Sequence, residues 1–257
     1  MSTRITPPEA PEGIGWLVNG AGSPVTLFVP GLGGALSHLR PLGGGVPGTR
    51  VFCELEGLAA PDDYAGLAAT FLRAADAAGA DRVLGVSLGA GALLRLLARA
   101  PRRFERVVIF QPSAFDVAPP ERLADLLVYH RLAESGELDA LTGLLNDELP
   151  ADVRGARQSW DASRTRAERL ARPEGLRLLK NLAGGEPPLA DPSLLRAVTA
   201  KVLVVAARDD EVHPVGVAER IAAALPYGEL AVFDHPAPLW HARKELRALL
   251  SGFLGGG

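Results

Sequence analysis

Short apolar runs alternate along this chain with longer segments in which apolar residues recur every three or four positions. Compact apolar runs are typical of buried strands, and the wider spacing is typical of amphipathic helices. The runs predict seven strands, at 14–18, 25–29, 49–55, 82–84, 106–110, 201–206 and 228–233. Because strands and helices alternate, we expect an α/β fold with a doubly wound, mostly parallel sheet.

The alternation stops between residues 115 and 196, where helix-like segments follow one another. These segments cover 120–134, 137–146, 151–171 and 173–183. We therefore predict a core made of 1–114 and 197–257, with a helical insertion at 115–196. An insertion placed after a sheet strand is well positioned to cover a site at the strand ends.

The predicted insertion is rich in arginine. Its arginines include Arg154, Arg157, Arg164, Arg166, Arg169 and Arg172. They can pair with nearby acids, namely Asp152, Asp161 and Glu168, as on solvated helix faces. We favour that interpretation over an anion-binding site.

The segment Gly85-Val86-Ser87-Leu88-Gly89 places a serine between a strand-like and a helix-like run. At such a junction a serine is held in a strained backbone with its hydroxyl above the sheet edge, and the flanking glycines avoid collisions. The helix N-terminus adds the positive end of a dipole. We therefore predict that Ser87 is a nucleophile; the alternative is an N-cap serine in an ordinary turn.

A glycine-rich loop, Pro30-Gly31-Leu32-Gly33-Gly34, follows the second predicted strand. It is either a plain connection or a loop whose backbone N–H groups face an anionic oxygen. It is not a phosphate loop, because it lacks the lysine and the Ser/Thr that such a loop requires.

Two late segments supply an acid and a base. Asp209 and Asp210 follow the sixth predicted strand, and His235 follows the seventh. Two adjacent side chains cannot both face one imidazole, so we expect only one aspartate to be its partner. His241, which opens the last predicted helix, is the alternative base. We expect no catalytic role for the histidines that stand in no partner motif, which are His38, His130 and His213.

The serine turn, a late acid and a late histidine, in the order Ser87, Asp210, His235, resemble the α/β-hydrolase fold family over residues 14–254. The spacing from Asp210 to Pro214 is similar to the family's acid loop, which favours Asp210 over Asp209. The helical insertion stands where members of the family carry a cap.

Two positions depart from the family's pattern. Many members have His-Gly after the first core strand, where this chain has Pro30-Gly31. Many have Gly-His before the closing helix, where this chain has Asp234-His235. The first departure leaves an oxyanion loop possible, because backbone atoms supply its donors.

The resemblance implies a Ser-His-Asp triad. His235 would take the proton of Ser87 and later return it to the leaving group, and Asp210 would hold the imidazole in the correct tautomer. The backbone N–H groups of Leu32 and Leu88 would stabilise the developing oxyanion. The resemblance implies no metal and no organic cofactor.

Charge and composition narrow the expected partners. A net charge of −3 offers no basic field for nucleic acid, and no apolar run approaches the ~18 residues of a membrane span. Residues 1–13 lack the apolar core of a secretion signal. The single cysteine, Cys53, lies in an apolar run, where we expect a packed thiol in a reducing compartment. We expect a cytoplasmic protein with a small-molecule partner.

These observations predict a serine hydrolase that acts on a small ester, thioester or related acyl substrate through an acyl-enzyme on Ser87. One alternative keeps the same triad but uses it for an elimination, a carbon–carbon cleavage or a cyclisation, with Ser87 as a base. Another is a binding protein without catalysis on the same fold. The complete set of Ser87, Asp210 and His235 argues against that last alternative.

Overall fold

A computed structural model describes residues 9–57 and 60–256. Its seven strands are β1 (Ile14–Asn19), β2 (Val25–Val29), β3 (Thr49–Leu55), β4 (Arg82–Val86), β5 (Arg106–Phe110), β6 (Lys201–Ala207) and β7 (Gly228–Phe233). They form one sheet in the order β1-β3-β2-β4-β5-β6-β7. Strand β1 runs antiparallel to β3, and the other neighbours are parallel. The predicted fold class is confirmed. Residues 1–8, which the predicted core at 1–114 includes, lie outside the described part of the chain.

The helices of the core lie between the strands in sequence, except for two that follow the last strand. They are α1 (Leu36–Leu39), α2 (Tyr64–Ala78), α3 (Leu88–Arg99), α9 (Val215–Ala224), α10 (Pro238–His241) and α11 (Arg243–Gly255). A 3-10 helix at Arg40–Gly43 follows α1 directly. Helix α1 and this turn were not predicted, because four-residue helices carry too little periodicity to be detected.

The two faces of the sheet carry separate hydrophobic clusters, because successive residues of a strand point to opposite sides. In β2, Leu27 and Val29 pack in the cluster that contains α2 and α3, whereas Phe28 packs in the cluster that contains α11. The ring of Phe28 stacks on that of Phe52 at 4.6 Å. Cys53 is fully buried in the first cluster, as its apolar surroundings predict.

Five helices lie between β5 and β6, and the described residues there form no strand. They are α4 (Pro120–Glu134), α5 (Leu138–Asp147), α6 (Ala151–Arg154), α7 (Arg157–Leu170) and α8 (Pro173–Leu182), and a 3-10 helix at Pro192–Ala197 follows. The segment expected to be one helix at 151–171 is two, because the chain becomes extended at Ala156. Helix α5 packs on α7, and α4 packs on α8. The limits of the insertion at 115 and 196 stay a prediction.

None of the helices in the described ranges combines the length and the apolar character that a membrane crossing requires.

Candidate functional site

Ser87 occupies a strained turn between β4 and α3. Its φ is 50°, in a region that residues with a side chain rarely adopt. A Cβ at Gly85 would lie 2.7 Å from Leu93 Cδ1, and one at Gly89 would lie 2.5 Å from Pro30 O. Both glycines are therefore needed for the close approach of strand, loop and helix. Ser87 makes no capping hydrogen bond with its side chain, so it is not an ordinary N-cap serine.

His213 lies between Ser87 and Asp210. Its Nε2 is 3.1 Å from Ser87 Oγ, and its Nδ1 is 3.0 Å from Asp210 Oδ2 and 3.1 Å from Oδ1. Because an ionised carboxylate only accepts hydrogen bonds, Nδ1 carries the proton and donates a hydrogen bond to Asp210. In the neutral imidazole, Nε2 is then free to accept the proton of Ser87.

The loop after β6 positions both the acid and the imidazole. Asp210 Oδ1 accepts hydrogen bonds from the backbone N–H groups of Val212 and His213, at 3.1 and 3.0 Å. Its Oδ2 accepts a hydrogen bond from Gln111 Nε2 at 2.6 Å. Burial by itself would raise the pKa of Asp210, but the hydrogen bonds and charge of His213 lower it below the usual value. Asp210 is therefore held ionised beside His213. Its neighbour Asp209 is exposed, with a φ of 57°.

The structure corrects the predicted histidine. His235 is exposed, and its ring lies 6.1 Å from that of His241, whose Nε2 pairs with Asp152 at 3.3 Å. The place beside Ser87 belongs to His213, for which no catalytic role was expected. One signal was available in the sequence, since Asp210 and His213 stand three residues apart on one loop, within reach of the same strand ends.

Leu32 and Leu88, the predicted oxyanion donors, both line a small pocket that also reaches Ser87. Leu88 is the first residue of α3, where backbone N–H groups have no partner inside the helix. The loop that contains Leu32 is fixed by a hydrogen bond from Gly34 N–H to Gly31 O at 3.0 Å. Arg166 of α7 also donates from Nε to Leu32 O, at 3.3 Å.

A cavity of about 560 Å³ opens above Ser87. The core contributes His38, Gln111, Asp210 and His213 to its walls, and α10 contributes Trp240. The small pocket beside it, about 50 Å³, is lined mainly by apolar residues, including Leu123, Leu126 and Leu182, and its charged residues are Arg122 and Glu186. The insertion thus forms walls of both spaces.

A partly buried ionic cluster of the insertion, formed by Arg122, Glu148 and Arg166, lines the large cavity. Glu148 Oε1 is 3.2 Å from Arg122 Nη1 and accepts a hydrogen bond from Tyr129 Oη at 3.0 Å, and its Oε2 is 2.8 Å from Arg166 Nη1. Burial acts to raise the pKa of Glu148, but the charges of Arg166 and Arg122 lower it to about 2. Sequence reasoning missed this cluster, because nothing in the sequence distinguishes Arg166 from the solvated arginines beside it.

His38 also lines the cavity. Its Nδ1 accepts a hydrogen bond from the backbone N–H of Ala35 at 3.2 Å. Burial, together with the positive charges of Arg166 and Arg169, lowers the pKa of His38 to about 4. The ring is therefore neutral near pH 7 and carries its proton on Nε2.

Within the ranges that the structure describes, no group of three or more His, Cys, Asp or Glu side chains is arranged to hold a metal ion.

No family model matches this chain. Solved structures do match it, at low identity. MGS-M2, an α/β hydrolase from a Medee basin deep-sea metagenome library, has a TM-score of 0.78 and 14% identity, covering 95% of this chain and 94% of its own. An esterase, EaEST, from Exiguobacterium antarcticum has a TM-score of 0.75 and 13% identity, covering 95% and 96%. The enol-lactonase from Burkholderia xenovorans LB400 has a TM-score of 0.76 and 16% identity, covering 97% and 100%. These likenesses extend over nearly the whole chain and show a shared fold.

Proposed function

We propose that this chain, which has the α/β-hydrolase fold, is a serine hydrolase that cleaves a small ester, thioester or related acyl substrate. The observation that carries the proposal is the continuous contact from Ser87 Oγ through His213 to Asp210, with distances of 3.1 and 3.0 Å. The neighbours named as an esterase and an enol-lactonase support hydrolysis of an acyl bond.

Ser87 is the nucleophile of the proposed reaction. His213 Nε2 takes the proton of the hydroxyl while Oγ attacks the substrate carbonyl, which gives a tetrahedral oxyanion. The imidazolium then gives that proton to the leaving group as the carbonyl–leaving-group bond breaks. Water, deprotonated by His213, hydrolyses the acyl-enzyme by the same steps and restores Ser87. Asp210 holds the tautomer and stabilises the imidazolium.

The backbone N–H groups of Leu32 and Leu88 are the proposed oxyanion donors. Each donor in a comparable site contributes about 3 kcal/mol to transition-state stabilisation. Their position beside Ser87 in the small pocket supports this role. In this proposal, the strained Ser87 turn and the glycine loop bring the two donors to one side of the nucleophile.

The helical insertion at 115–196 is the proposed cap, and its side chains choose the substrate. Its residues line both spaces above Ser87.

Cellular location is part of the proposal, and we place the protein in the cytoplasm because a single buried cysteine fits a reducing compartment.

Substitution of Ser87 by alanine tests the proposal. The wild-type protein should hydrolyse short p-nitrophenyl esters or acyl-CoA thioesters, and S87A should lose at least about a thousandfold in kcat. A fluorophosphonate should add one phosphonyl group, located at Ser87 by peptide mass spectrometry. Ser193→Ala is the matched control, because Ser193 is exposed and lines neither of the two spaces above Ser87, and this variant should keep labelling and turnover. Turnover of a substrate without any adduct would instead favour the use of Ser87 as a base.

A further inference from the structure

The ionic cluster of Arg122, Glu148 and Arg166 carries two positive charges and one negative charge. The side chains are 19%, 11% and 21% exposed, so bulk water screens them only in part. Arg122 has a second partner, Asp125, at 3.0 Å, whose side chain is about half exposed. Among the described residues, Glu148 is the acid that lies within ion-pair distance of Arg166. The inner part of the cluster therefore has an excess of positive charge.

Among the described residues, none of the other acids of the cavity wall forms an ion pair with Arg122 or Arg166. Asp147 is exposed and pairs with Arg154 at 3.5 Å, and Asp209 and Glu211 are exposed. Asp210 is ionised, but its carboxylate already accepts hydrogen bonds from His213, Gln111 and the backbone of its own loop. Because the cluster has two guanidinium groups and one carboxylate, the part of the wall that it forms favours an anionic ligand.

Arg166 is held in one orientation at this point. Nε donates to Leu32 O at 3.3 Å, and Nη1 contacts Glu148 Oε2 at 2.8 Å. These contacts use two of the five N–H donors of the guanidinium, so others remain for a ligand in the cavity. A planar guanidinium fixed in this way suits bidentate binding of a carboxylate.

His38 provides a second, independent donor in the same cavity. Its Nδ1 is occupied by the N–H of Ala35, so the free ring atom is Nε2–H. The neutral ring can donate a hydrogen bond to an anion, and the charges that keep it neutral include that of Arg166. Two elements, α1 and α7, thus present donors to one space beside Ser87.

We propose that the substrate carries a carboxylate, bound by Arg166 with the help of Arg122 and His38, while its ester or thioester carbonyl lies at Ser87. This inference rests on the proposed function, because it names the substrate class of the same site. The carboxylate occupies the large cavity. The small apolar pocket, which Arg122 also borders, accepts the uncharged group on the other side of the scissile bond.

Kinetics with matched esters test the inference. Monomethyl glutarate and monomethyl adipate have one carboxylate, and the corresponding dimethyl esters are neutral molecules of similar size. Hydrolysis is followed by proton release. We expect the kcat/KM of the wild-type protein to be about tenfold or more higher for the half-esters than for the dimethyl esters. Charge-assisted hydrogen bonds to the carboxylate would produce a difference of this size.

Variants of α7 separate charge recognition from a structural role. Arg166→Gln should raise KM for the half-esters and leave KM for the dimethyl esters nearly unchanged, so the preference disappears. Arg166→Lys should keep part of it, because the charge remains. Arg157→Gln, on the same helix with a side chain that is 94% exposed, is the matched control and should behave as wild type. An equal fall in kcat for both ester classes would show that Arg166 only supports the Leu32 loop, and would overturn the inference.

Binding to S87A tests the inference without turnover. Calorimetry should show that S87A binds monomethyl adipate more tightly than dimethyl adipate. This difference in affinity should disappear when Arg166→Gln is added to S87A. If that difference is found but no ester is hydrolysed by wild type, the proposed function fails and the anion site stands. If esters are hydrolysed through Ser87 with no preference for the half-esters, and S87A binds both esters equally, the anion site fails and the hydrolase stands.

Discussion

Asp210 and His213 lie three residues apart on one loop, and this proximity has a chemical consequence. The acid binds the backbone N–H of His213 as well as its Nδ1, so the main chain and the ring are oriented by the same carboxylate. The orientation of this imidazole therefore does not depend on the loop after β7. We expect that a change at the exposed His235 leaves the imidazole beside Ser87 in place.

Replacement of the two histidines tests this assignment. His213→Asn should lower kcat by about a thousandfold or more, because the proton of Ser87 then has no acceptor. His235→Asn, in an exposed side chain, should keep kcat within about twofold, since surface changes of this kind are nearly neutral. Steady-state kinetics on one ester compares them. A large fall in kcat in His235→Asn, together with a nearly normal kcat in His213→Asn, would show that His235 is the base.

At the scale of elements, the contact between α7 and the glycine loop connects the insertion to the proposed oxyanion donors. Gly33 has a φ of 64°, and a Cβ there would lie 3.1 Å from Arg166 O and 3.2 Å from Leu170 Cγ. The loop therefore needs glycine for its backbone conformation and for the close approach of α7. The position of Leu32 depends on how the insertion is seated.

Gly33→Ala should lower kcat by about tenfold or more with little change in KM, because displacement of the Leu32 N–H weakens a bond made in the transition state. Gly79→Ala is the matched control. Gly79 has a φ of 63° but no atom within 4 Å of an added Cβ, so it carries the same backbone strain away from the site. Both variants should lose about 1–2 kcal/mol of stability. A normal kcat in Gly33→Ala would remove the loop from the mechanism.

At the scale of the whole molecule, Glu148 joins three helices of the insertion above the sheet. Arg122 and Tyr129 belong to α4 and Arg166 to α7, and Glu148 directly follows α5. Its pKa is about 2 in the folded protein, below the ordinary value of 4.5. A carboxyl with a lowered pKa contributes stability above its ordinary pKa, and that contribution is lost as the pH falls.

Glu148→Gln should therefore destabilise the protein most at pH 5 and above. Its stability difference from wild type should shrink between pH 4.5 and 2 by about 3 kcal/mol, the equivalent of the pKa difference. Denaturant unfolding at a series of pH values measures it. Glu121→Gln, exposed on α4, is the control and should show no such trend. A stability difference independent of pH would show that Glu148 acts through packing alone.

Periodicity and local motifs determined the seven strands, the mostly parallel sheet and the Ser87 turn. These features follow from short-range physical requirements. Neighbouring residues determine the alternation of side chains, the glycines at close approaches and the positions where helices begin. The alternation also located the helical insertion. The split between α6 and α7 and the short α1 were not predicted, because single turns depend on their surroundings more than on periodicity.

Only the tertiary structure decided which histidine meets Ser87 and which arginines meet Glu148. Both His213 and His235 follow a strand of the sheet. Nothing in the sequence shows which of the two imidazole rings lies beside Ser87. The arginines of the insertion look alike as residue types, yet one of them, Arg166, contacts both the Leu32 loop and a partly buried carboxylate. The residues of the Ser87–His213 pair and of the Leu32–Arg166 pair lie more than a hundred positions apart in the sequence. Their contacts depend on how distant elements pack together, and a pattern of neighbouring residues does not predict them.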